Sequence, residues 1–316
     1  MADAPYLPGP SVSVERRPTV GYAMALSAGM LFAVNGTVSK VILSSGLGSL
    51  RLTEARCLGA LIGLAAVLAL FRRETLRADR RELVLLAVFG VFGVALVQLF
   101  YFLAIERLDI GISLVIQYLG PLLVALWARY VMKERVRPRV WIALVLALGG
   151  LSLVVDLWGG VSLDGLGVAF SLLSAVTFAA YLLLAERAVA GRDALSLLLY
   201  GFLFASVFWA IAQPWWSFPG AIPGRDVSLH GNLADLHLPV WSLMLWMVAL
   251  GTIVPFLLIV GSLRHLPATR VGLVAMIEPV VATLVAFAWL DERLSAEQIV
   301  GGAIVLAGIL LAQSAR

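Results

Sequence analysis

The sequence has little of the chemistry on which soluble enzymes depend. Among 316 residues there are three histidines and one cysteine, Cys57, and charged residues make up only 13%. A single cysteine excludes an internal disulfide, and none of the histidines belongs to an HExxH motif or another metal-ligand cluster. There is no GxxxxGKS/T phosphate loop and no GxSxG nucleophile elbow. We therefore expect no enzyme, no ATP-driven motor, no metal and no cofactor.

Apolar residues dominate instead. They make up 61% of the chain, with a mean hydropathy of +0.99, whereas soluble domains contain about 45–50%. The net charge of +4 could suggest nucleic acid, but the basic residues lie in short clusters between apolar runs and not on one patch. The composition therefore predicts a polytopic membrane protein whose partner is the lipid bilayer, and it argues against nucleic-acid binding.

An internal repeat organises the chain. The stretch 108–155 reappears without a gap at 266–313, with nine identities in 48 positions and a constant offset of 158 residues. Pro121 falls on Pro279 in this register. Such an internal repeat constrains the architecture of the whole chain more strongly than any local sequence pattern does.

Ten apolar runs of about 18–24 residues are each long enough to cross a bilayer. The predicted helices cover 20–43, 50–71, 82–104, 110–132, 138–155, 164–186, 194–213, 240–263, 269–290 and 296–313. We expect a disordered tail over 1–19, one five-helix unit over 20–157 and a second over 158–316. The second unit contains the one long connection, 214–239.

The basic residues set the direction of the spans. Sixteen lysines and arginines fall on one side of the predicted helices and four on the other. The positive-inside rule then places both termini in the cytoplasm, which requires an even number of spans. Because each unit has five helices, the two units have opposite orientation. The predicted fold is an all-α polytopic membrane protein of ten transmembrane helices in two inverted five-helix repeats, an arrangement typical of transporters.

Several motifs resemble a known family. Residues 266–294, LPATRVGLVAMIEPVVATLVAFAWLDERL, are similar to the end of a repeat in the EamA family of the drug/metabolite transporter superfamily, and 108–136 is a second copy. The FAVNG segment at 32–36, with Lys40, resembles the first-helix motif of that family, although Phe-Ala stands where Trp-Gly is usual. The resemblance covers 20–313 and implies export of amino acids, other metabolites or drugs.

Glu278 is the most informative polar residue. It lies about 13 Å into its predicted span, near the middle of the membrane. A charged carboxylate at that depth is costly, so Glu278 either exchanges a proton, pairs with a substrate ammonium, or is a protonated group bonded to a neighbouring helix. Its repeat mate is Gly120, so the two halves differ chemically at this position.

The two equivalent prolines predict interrupted helices, which in transporters point to the binding site. Pro121 and Pro279 are therefore candidate hinges, although tolerated packing kinks remain the alternative. Mid-span polar and aromatic side chains are candidates for substrate binding, with interhelical hydrogen bonding as the alternative. They are Asn35, its counterpart Tyr181 under an offset of 146, Gln98, Tyr101, Gln117, Tyr118 and Trp246, together with Glu278.

Charged groups near the outer ends of the first two spans have simpler interpretations. Glu54 and Arg56 are two residues apart and so lie on different helix faces. We expect Arg56 to extend outward to the membrane surface, as long basic side chains do, and attraction of a substrate carboxylate is the alternative. Lys40 has the same two interpretations. Glu134-Arg135 and the equivalent Glu292-Arg293 are expected to cap the helix that follows them or to hold adjacent helix ends together.

The sequence as a whole predicts a secondary transporter of the cell (inner) membrane. It would export amino acids or similar small amphipathic metabolites by alternating access, with Glu278 as the candidate for coupling to protons. Two alternatives stay open: an uncoupled facilitator of the same fold, and a membrane scaffold or receptor-like protein that transports nothing. A monomer and a homodimer are equally compatible with the sequence.

Overall fold

The computed structural model describes residues 17–71, 79–108, 110–155, 164–291 and 295–313. In these ranges the long helices are α1 (Pro18–Leu43), α2 (Ser49–Phe71), α3 (Arg80–Val88, Phe89–Ala95 and Leu96–Ile105), α4 (Ile110–Gln117 and Gly120–Tyr130), α5 (Pro138–Val154), α6 (Gly165–Val189), α7 (Ala194–Ala212), α8 (Val240–Val248, Ala249–Ile253 and Val254–Ser262), α9 (Ala268–Ala275 and Ile277–Leu290) and α10 (Ala296–Gln313). Each overlaps one predicted span. The all-α polytopic prediction is confirmed.

The helices follow from the apolar composition. A bilayer offers no water to backbone N–H and C=O groups, so an apolar run satisfies them internally by forming a helix. Over the described residues nine helices are long and apolar enough to cross a membrane, and α5 is slightly shorter at 17 residues. Aspartates cap several starts: the Asp164 carboxylate accepts from Gly167 N at 2.7 Å, and Asp193 from Leu195 N at 3.1 Å.

α5 and α10 cross at glycines that occupy equivalent positions. A Cβ on Gly150 would lie 2.6 Å from the Gly301 carbonyl oxygen, and one on Gly308 would lie 2.9 Å from the Ala143 carbonyl oxygen. Gly150 and Gly308 are equivalent under the offset of 158 residues, and so are Ala143 and Gly301. The second contact is therefore the first contact with the two helices exchanged. Such reciprocal contacts are those of a twofold arrangement, and small residues let the helix backbones approach closely.

A second pair of contacts extends this symmetry to α1 and α6. Gly21 of α1 packs against Leu266, just before α9, and Gly167 of α6 packs against Leu108, just before α4. Equivalent contacts in the two halves therefore occur at the start of the repeated stretch, at Leu108 and Leu266, as well as near its end. The division into units at 157/158 falls in the segment 156–163, outside the described residues, and stays a prediction, as does the tail over 1–19, of which 1–16 lie outside.

Both α3 and α8 contain a π-helical segment, at Phe89–Ala95 and Ala249–Ile253. An added residue widens each helix there, and such bulges are frequent at functional sites. Gly93 lies in the first segment and Gly251 in the second, again 158 residues apart. Gly93 packs against the backbone of Tyr181, and Gly251 packs against the side chain of Asn35.

The connection 214–239 is folded onto the ends of three helices. Its strands β1 (Asp226–Ser228) and β2 (His237–Pro239) pair antiparallel. Trp289 Nε1 donates to the Leu229 carbonyl oxygen at 2.9 Å, and Arg51 Nη2 donates to Ser217 Oγ at 2.6 Å. Beneath the connection a separate apolar cluster joins it to α1, α2 and α8.

The expected cap from Glu134 or Arg135 is wrong, because both are exposed and α5 begins without a side-chain cap. Their equivalents 292 and 293 lie outside the described residues.

The predicted orientation can be tested with topology reporters. An alkaline phosphatase domain is active only outside the cytoplasm, so fusion after residue 316 should give no activity and insertion within the 214–239 connection should give high activity. Activity of the C-terminal fusion would contradict the cytoplasmic placement of the termini. Immunoblots of both fusions establish equal expression.

The α5–α10 crossing predicts the effect of adding volume at one glycine and not at its neighbour. Gly150→Val places methyl groups against the α10 backbone, and overpacking of this kind costs about 1–3 kcal/mol. We expect a lower thermal unfolding midpoint in detergent. Gly149→Val is the matched control, because nothing lies within 4 Å of a Cβ at Gly149. Equal midpoints for the two variants would show that the crossing tolerates added volume.

Candidate functional site

Both α4 and α9 are interrupted, at equivalent places. α4 breaks at residues 118–119 and α9 at Met276, and a proline follows each break by two or three residues. Pro121 and Pro279 have no N–H, so the carbonyl groups of Gln117 and Ala275, four residues earlier, lose their helical partners. The sequence-predicted prolines therefore lie at real interruptions of both helices. Their role as hinges stays a prediction.

Tyr118 joins the two interruptions. Its hydroxyl lies 3.2 Å from the Ala275 carbonyl oxygen and donates to Glu278 Oε2 at 2.9 Å. Tyr118 is only 4% exposed, so its hydroxyl is held among helices. The Tyr118 hydroxyl, from one half of the protein, thus lies within hydrogen-bond distance of both the carbonyl freed by Pro279 and the Glu278 carboxyl group in the other half.

Glu278 lies where α1 passes close to the α9 break. Gly29 of α1 packs against the Ile277 side chain and the Glu278 backbone. At the equivalent point in the first half, a Cβ on Gly120 would lie 2.8 Å from Phe178 Cδ1. An aromatic ring therefore occupies the space around Gly120, and the carboxyl group can be accommodated in only one half. This packing accounts for the asymmetry between Gly120 and Glu278.

Arg56 turns inward, and the expectation that it extends outward is wrong. It lies about 10 Å into α2, and its Nη2 donates to Gln98 Oε1 on α3 at 2.8 Å. Gln98 Nε2 in turn donates to the Val94 carbonyl oxygen at 3.2 Å. Arg56 and Glu278 interact electrostatically but form no direct ion pair among the described residues. An amide acceptor and a distant carboxylate thus hold the guanidinium inside.

Glu54, two residues before Arg56, has a different partner. Its carboxylate forms an ion pair with Arg51 at 2.8 Å, on the side of α2 that faces the 214–239 connection. The prediction that Glu54 and Arg56 do not pair is confirmed. The Lys40 side chain is exposed.

Aromatic rings surround the Tyr118 end of the site. Phe178 contacts Tyr118 edge-on at 6.0 Å between ring centroids and stacks on Tyr181 at 6.4 Å. Phe256 of α8 meets Tyr181 and Phe32 edge-on, at 5.8 and 5.4 Å. These rings form a continuous apolar wall between α1, α6 and α8, which suits a solute with an apolar body.

Three buried polar atoms among the predicted site residues and Arg56 have no hydrogen-bond partner. They are Asn35 Oδ1, Arg56 Nε and Gln117 Oε1. Unsatisfied polar atoms away from water are rare and costly, and a bound ligand is one explanation for them. Tyr101 lies within electrostatic reach of Glu278 and so belongs to the same neighbourhood.

Trp246 lies elsewhere. Its side chain packs against the apolar cluster beneath the 214–239 connection, apart from the Tyr118–Glu278 group, and we leave it out of the site. The sequence favoured a surface position for Arg56 and offered membership of the site only as the alternative. The feature of the sequence that could have indicated its inward position is the side-chain amide of Gln98, at a similar depth in the next helix. A guanidinium within a membrane needs a hydrogen-bond acceptor.

Comparisons with known proteins agree with this architecture. A model of the EamA-like transporter family matches residues 19–156 and again residues 165–313, one match for each set of five helices. An uncharacterized transporter of Archaeoglobus fulgidus is 29% identical over 293 residues, 92% of this chain and 94% of its own length. The threonine/homoserine exporter RhtA of Escherichia coli is 29% identical over 250 residues, 78% of this chain and 77% of its own.

The fold also occurs among solved structures. A crystal structure of a protein 18% identical in sequence superposes with a TM-score of 0.75, covering 94% of this chain and 97% of the other. At this identity the likeness shows the fold alone.

The Tyr118 hydroxyl offers a direct test of the described geometry. Tyr118→Phe removes the hydroxyl that donates to Glu278 Oε2 and lies 3.2 Å from the Ala275 carbonyl oxygen, and a buried unsatisfied group costs about 1–3 kcal/mol. We expect a lower thermal unfolding midpoint in detergent. Tyr130→Phe is the control, because Tyr130 is 72% exposed. If both variants unfold at the wild-type temperature, the hydroxyl does not hold the two interruptions together.

Proposed function

We propose that this chain, which belongs to the EamA-like transporter family, is a secondary transporter that exports amino acids or similar small amphipathic metabolites across the cell (inner) membrane. The name of RhtA, a threonine/homoserine exporter, supports a small amino acid as the substrate. The mixture of amide, hydroxyl and aromatic groups around Glu278 supports the same class of solute.

The observation that carries the proposal is the link from Tyr118 to both Glu278 and Ala275. It places an ionisable carboxyl group at the point where the interrupted helices of the two halves meet. In transporters, substrate and ion sites lie near the middle of the membrane on discontinuous helices at the interface between repeats. The geometry here has the same elements.

Protonation of Glu278 would change which hydrogen bonds can form. A neutral carboxyl group can donate to the Tyr118 hydroxyl, which is then free to donate its own proton to the Ala275 carbonyl. A charged carboxylate instead accepts a hydrogen bond from the Tyr118 hydroxyl, and the Ala275 carbonyl oxygen is then left without a donor. The charge on Glu278 therefore alters the helix interruption itself, which is a local event with two discrete arrangements.

Among the residues that the structure describes, the charged and titratable side chains that interact with Glu278 are Arg56 from α2, Tyr101 from α3 and Tyr118 from α4. A substrate ammonium that binds the Glu278 carboxylate would compete with a proton for the same site. Such competition is the simplest basis for exchange of substrate against protons.

Alternating access would use the two interruptions. The regular helical ladder is interrupted at 118–119 and 276, where Leu119 N and Met276 N donate to the carbonyl three residues earlier and Pro121 and Pro279 have no N–H, so these points can bend at lower cost than the continuous helices. The α5–α10 crossing, with its close glycine contacts, would keep the two halves together while the interruptions change angle. We propose Asn35, Gln98, Tyr101, Gln117 and Tyr181 as the wall against which the substrate binds.

Glu278→Gln tests the coupling. The amide can still accept from Tyr118 but cannot ionise, so we expect the variant to fold and to lose the dependence of transport on pH. The measurement is flux of a labelled amino acid from proteoliposomes with the internal and external pH set independently. The wild type should respond to an imposed proton gradient, and Glu278→Gln should give the same flux with and without it.

The control is Glu106→Gln, which removes an exposed carboxylate just beyond α3. It should transport as the wild type does. If Glu278→Gln keeps the full pH response, Glu278 carries no coupling proton. If neither the wild type nor the variant responds to the gradient, the protein is an uncoupled facilitator.

A further inference from the structure

We propose that Arg56 and Gln98 form a carboxylate-binding subsite opposite Glu278, so that the protein selects zwitterions carrying both an amine and a carboxylate. This inference rests on the proposed transport function and names the substrate class of the same site. It begins from Arg56, for which the sequence left attraction of a substrate carboxylate as the less favoured of two interpretations.

The Arg56 guanidinium is positioned to bind an anion. One nitrogen, Nη2, donates to Gln98 Oε1 at 2.8 Å, and Nε is buried without a partner. A guanidinium carries five N–H donors in a planar fork that matches the two oxygens of a carboxylate. The structure therefore leaves the buried Nε–H of a half-buried guanidinium without a partner, which is unfavourable unless a ligand takes it up.

Gln98 orients this group without cancelling its charge. Its own Nε2 is held by the Val94 carbonyl oxygen of the π-helical segment in α3, so the amide oxygen faces Arg56 in a fixed orientation. A carboxylate in place of this amide would neutralise the arginine. The nearest candidate in sequence, Glu54, is paired instead with Arg51.

Glu278 supplies the opposite pole. Arg56 and Glu278 attract each other electrostatically, yet the described residues show no direct ion pair between them. A ligand whose ammonium contacts Glu278 and whose carboxylate contacts Arg56 would complete both interactions. Aromatic rings beside Tyr118 offer an apolar surface for the remainder of such a molecule.

The net charge of the site with its bound ligand explains why a zwitterion is preferred. A zwitterion adds no net charge to a site that already contains one positive and one negative group. A purely cationic ligand would satisfy Glu278 and leave Arg56 without a counter-charge, and a purely anionic ligand would do the reverse. Because an uncompensated charge within the membrane is expensive, each single-charge analogue should bind more weakly than the amino acid.

The experiment uses the full chain in proteoliposomes, with a panel of neutral α-amino acids, their α-carboxamides and the matching 2-hydroxy acids. The carboxamides lack the carboxylate, and the hydroxy acids lack the amine. The wild type should transport at least one amino acid and prefer it to both analogues. In Arg56→Gln we expect its apparent affinity for the amino acid to fall about 10–100-fold, as for a lost hydrogen bond to a charged group, and its affinity for the carboxamide to stay unchanged.

Two further variants separate this role from a structural one. Arg56→Lys keeps the charge but loses the planar fork, so it should recover part of the preference for the amino acid over its carboxamide. Arg51→Gln is the matched control, an arginine of the same helix that pairs with Glu54 and Ser217, and it should keep the wild-type preference. Gel filtration in detergent verifies that each variant is folded.

The outcomes distinguish the two proposals. An equal loss of amino acid and carboxamide transport in Arg56→Gln would overturn the subsite, as would a wild type that prefers a carboxamide or a hydroxy acid. Either result leaves the transport function standing. A wild type that moves no compound of any kind, in this panel or among other metabolites and drugs, would overturn the transport function itself.

Discussion

The missing N–H of Pro279 is the constraint on which the centre of this protein depends. It leaves the Ala275 carbonyl oxygen without its partner within α9, and an unsatisfied backbone group buried in an apolar medium costs several kcal/mol. The Tyr118 hydroxyl, from the other half of the chain, lies 3.2 Å from that oxygen. Because the same hydroxyl donates to Glu278, the backbone of α9, the α4 interruption and the carboxyl group meet at one side chain.

The symmetric parts of the fold hold this network in place. Gly150 against Gly301 and Ala143 against Gly308 bring α5 and α10 into close contact at equivalent positions, with no side chains between the backbones that could rearrange. Gly93 and Gly251 instead lie in π-helical segments, where the ladder of hydrogen bonds is already altered. Within the described parts of its long helices, the molecule thus combines a tightly packed crossing with four local departures from regular α-helix, two in each half. The departures are where a change between inward- and outward-facing forms would be least costly.

Much of the fold could be predicted from the sequence, because apolar run length and the offset of 158 residues report directly on span number and equivalence. The interruptions followed from Pro121 and Pro279, since proline acts through its own backbone. The partner of Arg56 could not be predicted in this way. Which neighbour a guanidinium faces depends on the rotation of α2 against α3, and an almost uniformly apolar helix gives little periodicity from which to infer that rotation. The same reason applies to the prediction that Trp246 lines the substrate site. Its position along α8 could be predicted from the sequence, but the apolar cluster that it faces could not.

The differences between the halves matter because a symmetric scaffold by itself would offer two equal sites. Phe178 fills the space beside Gly120 that corresponds to the Glu278 position in the other half, so an acidic side chain stands at this position in one half alone. Tyr118, from the half without it, contributes a hydroxyl to the Glu278 carboxyl group. A site with contributions from both halves would change when either half moves. Two independent sites would not link the halves in this way, whereas a shared site would, and the proposed alternating access requires such a link.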